Sequence, residues 1–293
     1  MSEKIYGYWK DKKVLFIGDS ITARRVYPEK IKEILGIETF YHCRGGRGIV
    51  QMVDGDRGLC GDYSDFTPTA DLLLPLSTDE VADKDLIVLY GGYNNVGSDT
   101  GEIGDLYSPD KTGKSTIAGY MQYAINRIYD ELEKANNLGC RLLVVTVDCP
   151  GKDAWLDHDG YTEHKPNTGR SFKNMAKIQK AIAEYNSIPC CDLFTTSGIN
   201  SRTWKYFGFD KNVDNPAYSP YLLNEKGERV SDERIRYEQG KSYYQWRDGK
   251  VVLEQYNYLA PYPYNGDQLH KSAAGYYRIG ELIAGAISSA YGN

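Results

Sequence analysis

The chain has 293 residues, with 35 Lys and Arg against 40 Asp and Glu and a net charge of -5. That balance argues against nucleic acid or an anionic membrane as the main partner, since basic patches hold both. The length suffices for a substantial core, and no apolar run reaches the roughly 18 residues of a membrane span.

Six cysteines, at positions 43, 60, 140, 149, 190 and 191, show no metal-ligand spacing and are expected as reduced, buried thiols. The opening "MSEKIYGYWKDKK" contains no apolar h-region, so a cytoplasmic setting is the default expectation. Tyrosine outnumbers phenylalanine 26 to 7, which favours wide amphipathic surfaces.

In chain order, short β-rich runs alternate with longer helical patterns. Strands are expected at 13–18, 37–42, 85–92, 141–148 and 188–194, three of them nearly continuous in Val, Leu and Ile. Helices are expected at about 25–35, 116–137, 171–187 and 272–291. Ser115 or Thr116, Ser171 and Ser272 are candidate N-caps, and Gly139 a candidate stop. Such alternation implies an α/β fold with a parallel sheet covered on both faces, and ligands bind such sheets beyond the strands' carboxyl ends. The loops at 18–24, 43–60, 91–115, 148–170 and 194–270 are therefore where chemistry is expected. Residues 200–266, rich in Tyr, Asn, Asp and Gly, read as a β-rich lid or subdomain inserted in one 293-residue domain. Hairpin turns are expected there at "NEKGER" and "WRDGKV".

In "LFIGDSIT", Ser20 stands where the first strand hands over to a helix. It could cap that helix, or serve as a nucleophile beside the unpaired N–H groups of the helix start. A nucleophile also needs a base, an orienting group and oxyanion donors. Of four histidines, His42 falls in a strand and His158 and His164 in a polar loop. His270, in "YNGDQLHKSAAGYY", follows Asp267 at D-x-x-H spacing just ahead of the last helix. The aspartate can accept from one imidazole nitrogen while the other faces the serine. Glycine-rich "CRGGRGIV" and the asparagine turn "LYGGYNNVG" could supply the donors.

Four blocks in this order, "GDSIT", the glycines ending at Gly48, "GGYNN" and "DQLH", resemble the signatures of the SGNH (GDSL-type) hydrolases. The resemblance implies a flavodoxin-like three-layer α/β/α sandwich with a five-stranded parallel sheet. It also implies a Ser20, His270 and Asp267 triad, with the oxyanion held by the N–H groups of Ser20 and Gly48 and the Asn94 amide. No metal or other cofactor is implied. Asn95 stands where the family usually has aspartate, and Gly46 could replace Gly48.

The expected partner is a small-molecule or glycan ester, by preference an O-acetylated carbohydrate. Trp155, Tyr161, Trp204, Tyr206, Trp246 and the 256–264 run ending near Tyr264 offer flat amphipathic faces, and Asp19 and Tyr93 lie close to the site in sequence. Those aromatics could equally pack the insertion's own core. A lysophospholipase or thioesterase of the same fold and a non-catalytic glycan-binding module are the alternatives.

Other motifs fail. "SPDKTGKST" has Ser108 where a phosphate loop needs glycine. "DGDRGLCGDYSD" puts Gly58 at a calcium-ligand position. Asp157, Asp159 and His164 fit metal spacing only loosely. The α/β-hydrolase elbow G-x-S-x-G is not met either, since Thr22 occupies its last position.

Overall fold

The computed structural model describes residues 7–54, 76–95, 98–107, 116–149, 172–200, 202–208, 221–234, 241–247, 250–255 and 270–292. Five parallel strands form one sheet: β1 Lys13–Gly18, β2 Glu38–Cys43, β3 Leu86–Tyr90, β4 Arg141–Val145 and β5 Cys190–Cys191, in the order β2-β1-β3-β4-β5. The central strands β1 and β3 are buried on both faces, as their unbroken apolar sequences require, whereas edge strand β2 is only half-buried. The order reverses between β1 and β3, as in flavodoxin-like sheets.

The helices are α1 Ser20–Ala23, α2 Val26–Leu35, α3 Ile49–Asp54, α4 Thr78–Val81, α5 Ile117–Lys134, α6 Phe172–Tyr185, α7 Leu193–Thr196, α8 Trp204–Phe207 and α9 Ala273–Tyr291. Right-handed crossovers in this strand order place α2 and α9 on one face and α3, α5 and α6 on the other. The packing agrees. A methyl on Gly280 of α9 would meet Tyr27 and Lys30 of α2, while α5 lies against both α3 and α6. The three-layer α/β/α sandwich expected from the sequence is present.

Three local expectations need correction. Helix α5 stops at Lys134, not near Gly139. Asn136 takes a left-handed conformation (φ 54), with Asn137 N–H bonded to Leu132 O at 2.8 Å and Asn136 N–H to Glu133 O at 2.9 Å, a Schellman stop with Asn in the glycine position. Strand β5 keeps only two of its seven expected residues, because Asp192 caps α7 by accepting from Thr195 N–H at 3.2 Å. Strands β3 and β4 end at Tyr90 and Val145, short of 92 and 148. Of the expected caps, Thr116 and Ser272 accept at 3.3 Å from Gly119 and Gly275 N–H, while Ser115 and Ser171 lie outside the described residues.

By its internal contacts the chain forms two compact units. The first comprises Met1–Cys149, Thr162–Ser197 and Ile279–Asn293, and the second Pro150–Tyr161 and Gly198–Arg278. The first unit holds the sheet. At the amino side of the strands Trp9 Nε1 donates to Gly292 O at 2.8 Å and Tyr291 Oη to Leu142 O at 2.6 Å. The Arg141 guanidinium lies over the rings of Tyr8, Trp9 and Tyr291 at 5.0–5.6 Å.

The second unit carries the β-rich insertion as two antiparallel hairpins, β6 Tyr221–Leu223 with β7 Arg229–Arg234, and β8 Ser242–Arg247 with β9 Lys250–Gln255. The first turns where the sequence indicated, and in the second Arg247 pairs with Lys250. In the first, Asn224 Oδ1 accepts from Lys226 and Glu228 N–H and Gly227 supplies a positive φ of 79°. The five described cysteines are free thiols. Burial pushes Cys43 up to about 11 and Cys140, Cys190 and Cys191 up to about 12, so they stay protonated and unreactive at neutral pH. No described helix is long and apolar enough to cross a membrane.

Candidate active site

The strand-to-helix turn at Ser20 is built by its neighbours. Asp19 is extended, and its Oδ1 accepts from Ile21 N–H at 2.9 Å, so the aspartate is the N-cap of α1. Ser20 is therefore the first helical residue, half-buried at the carboxyl end of β1. Gly18 permits this turn: a methyl there would lie 2.1 Å from Thr22 Oγ1 and 2.4 Å from Tyr90 O. Thr22 Oγ1 in turn pairs with Tyr27 Oη at 2.9 Å, which fastens α1 to α2. Asp19 is 0% exposed. Buried in this way, it serves as the cap of α1.

The glycine loop begins at the end of β2, where Arg44 N–H donates to Gly18 O at 3.1 Å. Gly45 lies against the serine, since a methyl on it would sit 3.8 Å from Ser20 Cβ. Gly46 is exposed with φ 75, and Gly48 is buried against Asn95, where a methyl would meet Oδ1 at 2.0 Å. Gly48 O accepts from Met52 N–H at 2.9 Å and Asn95 Oδ1 from Val50 N–H at 3.2 Å. Asn95 thus ties the asparagine loop to the start of α3 through its acceptor oxygen.

Asn94 is exposed on the single 3-10 turn Tyr93–Asn95, and its Nδ2 donates to Arg47 O at 2.9 Å, joining the asparagine and glycine loops. An amide carries a second N–H, which is what an oxyanion would use. The loop is tied from beneath by Gln179 of α6, whose Nε2 donates to Gly91 O at 2.6 Å and whose Oε1 accepts from Val147 N–H at 2.8 Å. Sequence reading missed Gln179, although it is a lone polar residue on the apolar face set by Met175, Ala176, Ile182 and Ala183. Tyr93, expected at a substrate surface, is 3% exposed. Its hydroxyl pairs with Tyr90 Oη at 3.0 Å and accepts from Asp148 N–H at 2.9 Å, so it braces the loop from inside.

His270 belongs to the second unit and is half-buried just before α9. Of the other histidines, His42 Nδ1 lies 3.0 Å from Glu80 Oε1, the carboxylate that closes the capping box of α4 with Ser77. His158 and His164 lie outside the described residues, as do Asp267, Trp155, Tyr161 and Tyr264. Trp204, expected on a sugar-binding face, is 2% exposed and belongs to the core of its unit, whereas Tyr206 is 49% exposed. Among the described residues no group of three His, Cys, Asp or Glu is placed to hold a metal ion.

An open parallel sheet with a serine at its first strand-helix turn, and glycine and asparagine loops tied together beside it, defines a class of fold and a candidate site. No family model and no curated protein sequence matches the chain. Solved structures do. A structure described as a possible lipase from Chitinophaga pinensis is 17% identical, with a TM-score of 0.54 over 96% of this chain and 99% of that one. At that identity the likeness is one of fold, and it runs the length of both chains. Looser likenesses extend to the lipase/acylhydrolase from Enterococcus faecalis (13% identity, TM-score 0.46, 95% and 96% covered). A GDSL-like lipase from Bacteroides thetaiotaomicron is looser still (19% identity, TM-score 0.39, 95% and 89% covered).

Proposed function

We propose that this protein is an SGNH-type serine esterase. The observation that carries the reading is that Asp19, not Ser20, caps α1. The capping of α1 is done by its neighbour, and Ser20 stands half-buried at the carboxyl end of β1 as the first residue of a helix.

In the proposed cycle Ser20 Oγ attacks the ester carbonyl while His270 takes its proton. The tetrahedral oxyanion is held by the N–H groups of Ser20 and Gly48 and by the Asn94 amide. Collapse breaks the ester bond, and the leaving alkoxide takes the proton from His270. Water then attacks the acyl-serine by the same route and releases the acid. Asp267 holds the imidazole in the required tautomer. Preorganised donors of this kind stabilise charge without reorganising during the reaction.

The proposed substrate is a small-molecule or glycan ester, by preference an O-acetylated carbohydrate. Exposed Tyr206 supports an amphipathic binding face, and the net charge of -5 offers no attraction for a polyanion.

The test is labelling with a fluorophosphonate probe, read by intact mass. The expected result is one adduct on the wild type and none on Ser20→Ala. An unreactive wild type would overturn the esterase reading, and an adduct surviving Ser20→Ala would move the nucleophile elsewhere. Turnover of nitrophenyl esters from acetate to decanoate tests the acyl preference, and a rate rising with chain length would favour a lysophospholipase or thioesterase.

A further inference from the structure

The second unit holds an unusual pair directly beside His270. Lys271 is 1% exposed, and its ammonium lies 5.3 Å from the centre of the Trp204 ring, itself buried. A buried lysine is costly unless its charge is compensated, and an indole face is one of the few apolar surfaces that does so.

The backbone repeats the association. Gly208 and Lys271 form an antiparallel bridge, Ser272 N–H donates to Phe207 O at 2.9 Å, and Ser272 Oγ donates to Tyr206 O at 3.3 Å. Two glycines allow the close approach: a methyl on Gly208 would lie 2.2 Å from Trp204 Nε1, and one on Gly275 would lie 2.3 Å from Phe207 O. Both neighbours that follow His270 are thus docked on α8, the opening helix of the insertion.

We propose that α8 is the seat of the catalytic histidine, and that Lys271 and Trp204 are positioning residues for His270. This rests on the reading of His270 as general base. It gives the insertion a role in holding the base: its first turn fixes the backbone that carries His270. A base displaced by even an ångström loses its alignment with the serine, which costs up to about a hundredfold in turnover.

The test compares Lys271→Met, which keeps bulk without charge, with Lys271→Arg, which keeps the charge. Hydrolysis of nitrophenyl acetate and the fluorophosphonate labelling rate are followed, with folding checked by circular dichroism. The expected result for Lys271→Met is a kcat lower by about ten- to a hundredfold with KM nearly unchanged, and substantial recovery in Lys271→Arg. A folded Lys271→Met with wild-type kcat would overturn the proposal, as would equal losses in both variants. Should the methionine variant not fold, Trp204→Phe is read instead: a partial loss of kcat supports the seat, and no change overturns it. The two readings fail separately. A wild type that does not react with the probe removes the esterase and the seat together, whereas a reactive wild type matched by Lys271→Met removes the seat alone.

Discussion

Asp19 and Ser20 are adjacent in sequence, and the structure gives the capping of α1 to Asp19, a task the sequence could not assign. Both residue types cap helices well, so "GDS" alone left Ser20 with either role. The deciding fact is the 2.9 Å bond from Ile21 N–H to Asp19 Oδ1, a geometry that no residue pattern reveals. Asp19→Ala is accordingly expected to destabilise the fold by about 1 kcal/mol, the usual cost of a lost cap, measurable as a lower denaturation midpoint. Ser20→Ala is expected to leave that midpoint nearly unchanged while abolishing probe labelling. Asn94→Ala should retain the labelling site but lower kcat by about 10²–10³, as removal of one oxyanion donor does. Gly45 shows the limit of motif reading. The glycine-rich block was legible as a close-approach loop, but only coordinates show Gly45 lying against Ser20.

At the scale of elements, β1, β2 and the long helices were legible because their apolar patterns are long and regular. The ends were harder to read, since they depend on local competition. Strand β5 yields to the cap of α7, and α5 stops at Lys134, three residues short of its expected end at 137, because Asn136 turns left-handed. Asparagine tolerates that conformation better than other residues with a Cβ, and glycine tolerates it best. Asn136→Gly is therefore expected to leave stability unchanged or slightly higher. Asn136→Val should lose about 1–2 kcal/mol, read by chemical denaturation. The described starts of the loops at 18–24, 43–54 and 91–95 follow the carboxyl ends of β1, β2 and β3, as the sheet's topology led one to expect. Their cross-ties, Gln179 to Gly91 and Val147 and Asn95 to Val50, were illegible because they join residues distant in sequence.

For the whole molecule, the sheet unit and the hairpin unit differ in how they could be read. Alternating βα pattern announced the first. The hairpins of the second were visible mainly through their turns, while the burial of Trp204 beneath Lys271 was open until the fold was known. Electrostatics adds a further expectation for the sheet unit. Lys13 and Lys84 hydrogen-bond Asp83 and hold its carboxyl down at about 2, below the ordinary 3.8. A lowered folded-state value means that the contribution to stability is complete above about 4 and is lost as pH falls toward 2. Half of the Asp83 side chain is exposed, so water and salt screen the effect. Asp83→Asn should lower the neutral-pH midpoint only slightly and flatten the acid side of the stability profile, more visibly at low ionic strength.

The contact of Trp9 with Gly292 O at the amino side of the strands has a topological consequence. The described segments around Trp9 and Gly292 are already neighbours, on the side of the sheet away from the Ser20 turn. Joining them through a short flexible linker and opening the exposed Glu225–Gly227 turn would give a circular permutant whose new ends lie on a hairpin tip. No strand of the sheet would be cut and no loop of the candidate site moved. Such a reordered chain is expected to fold and to keep the parent's reactivity toward the probe.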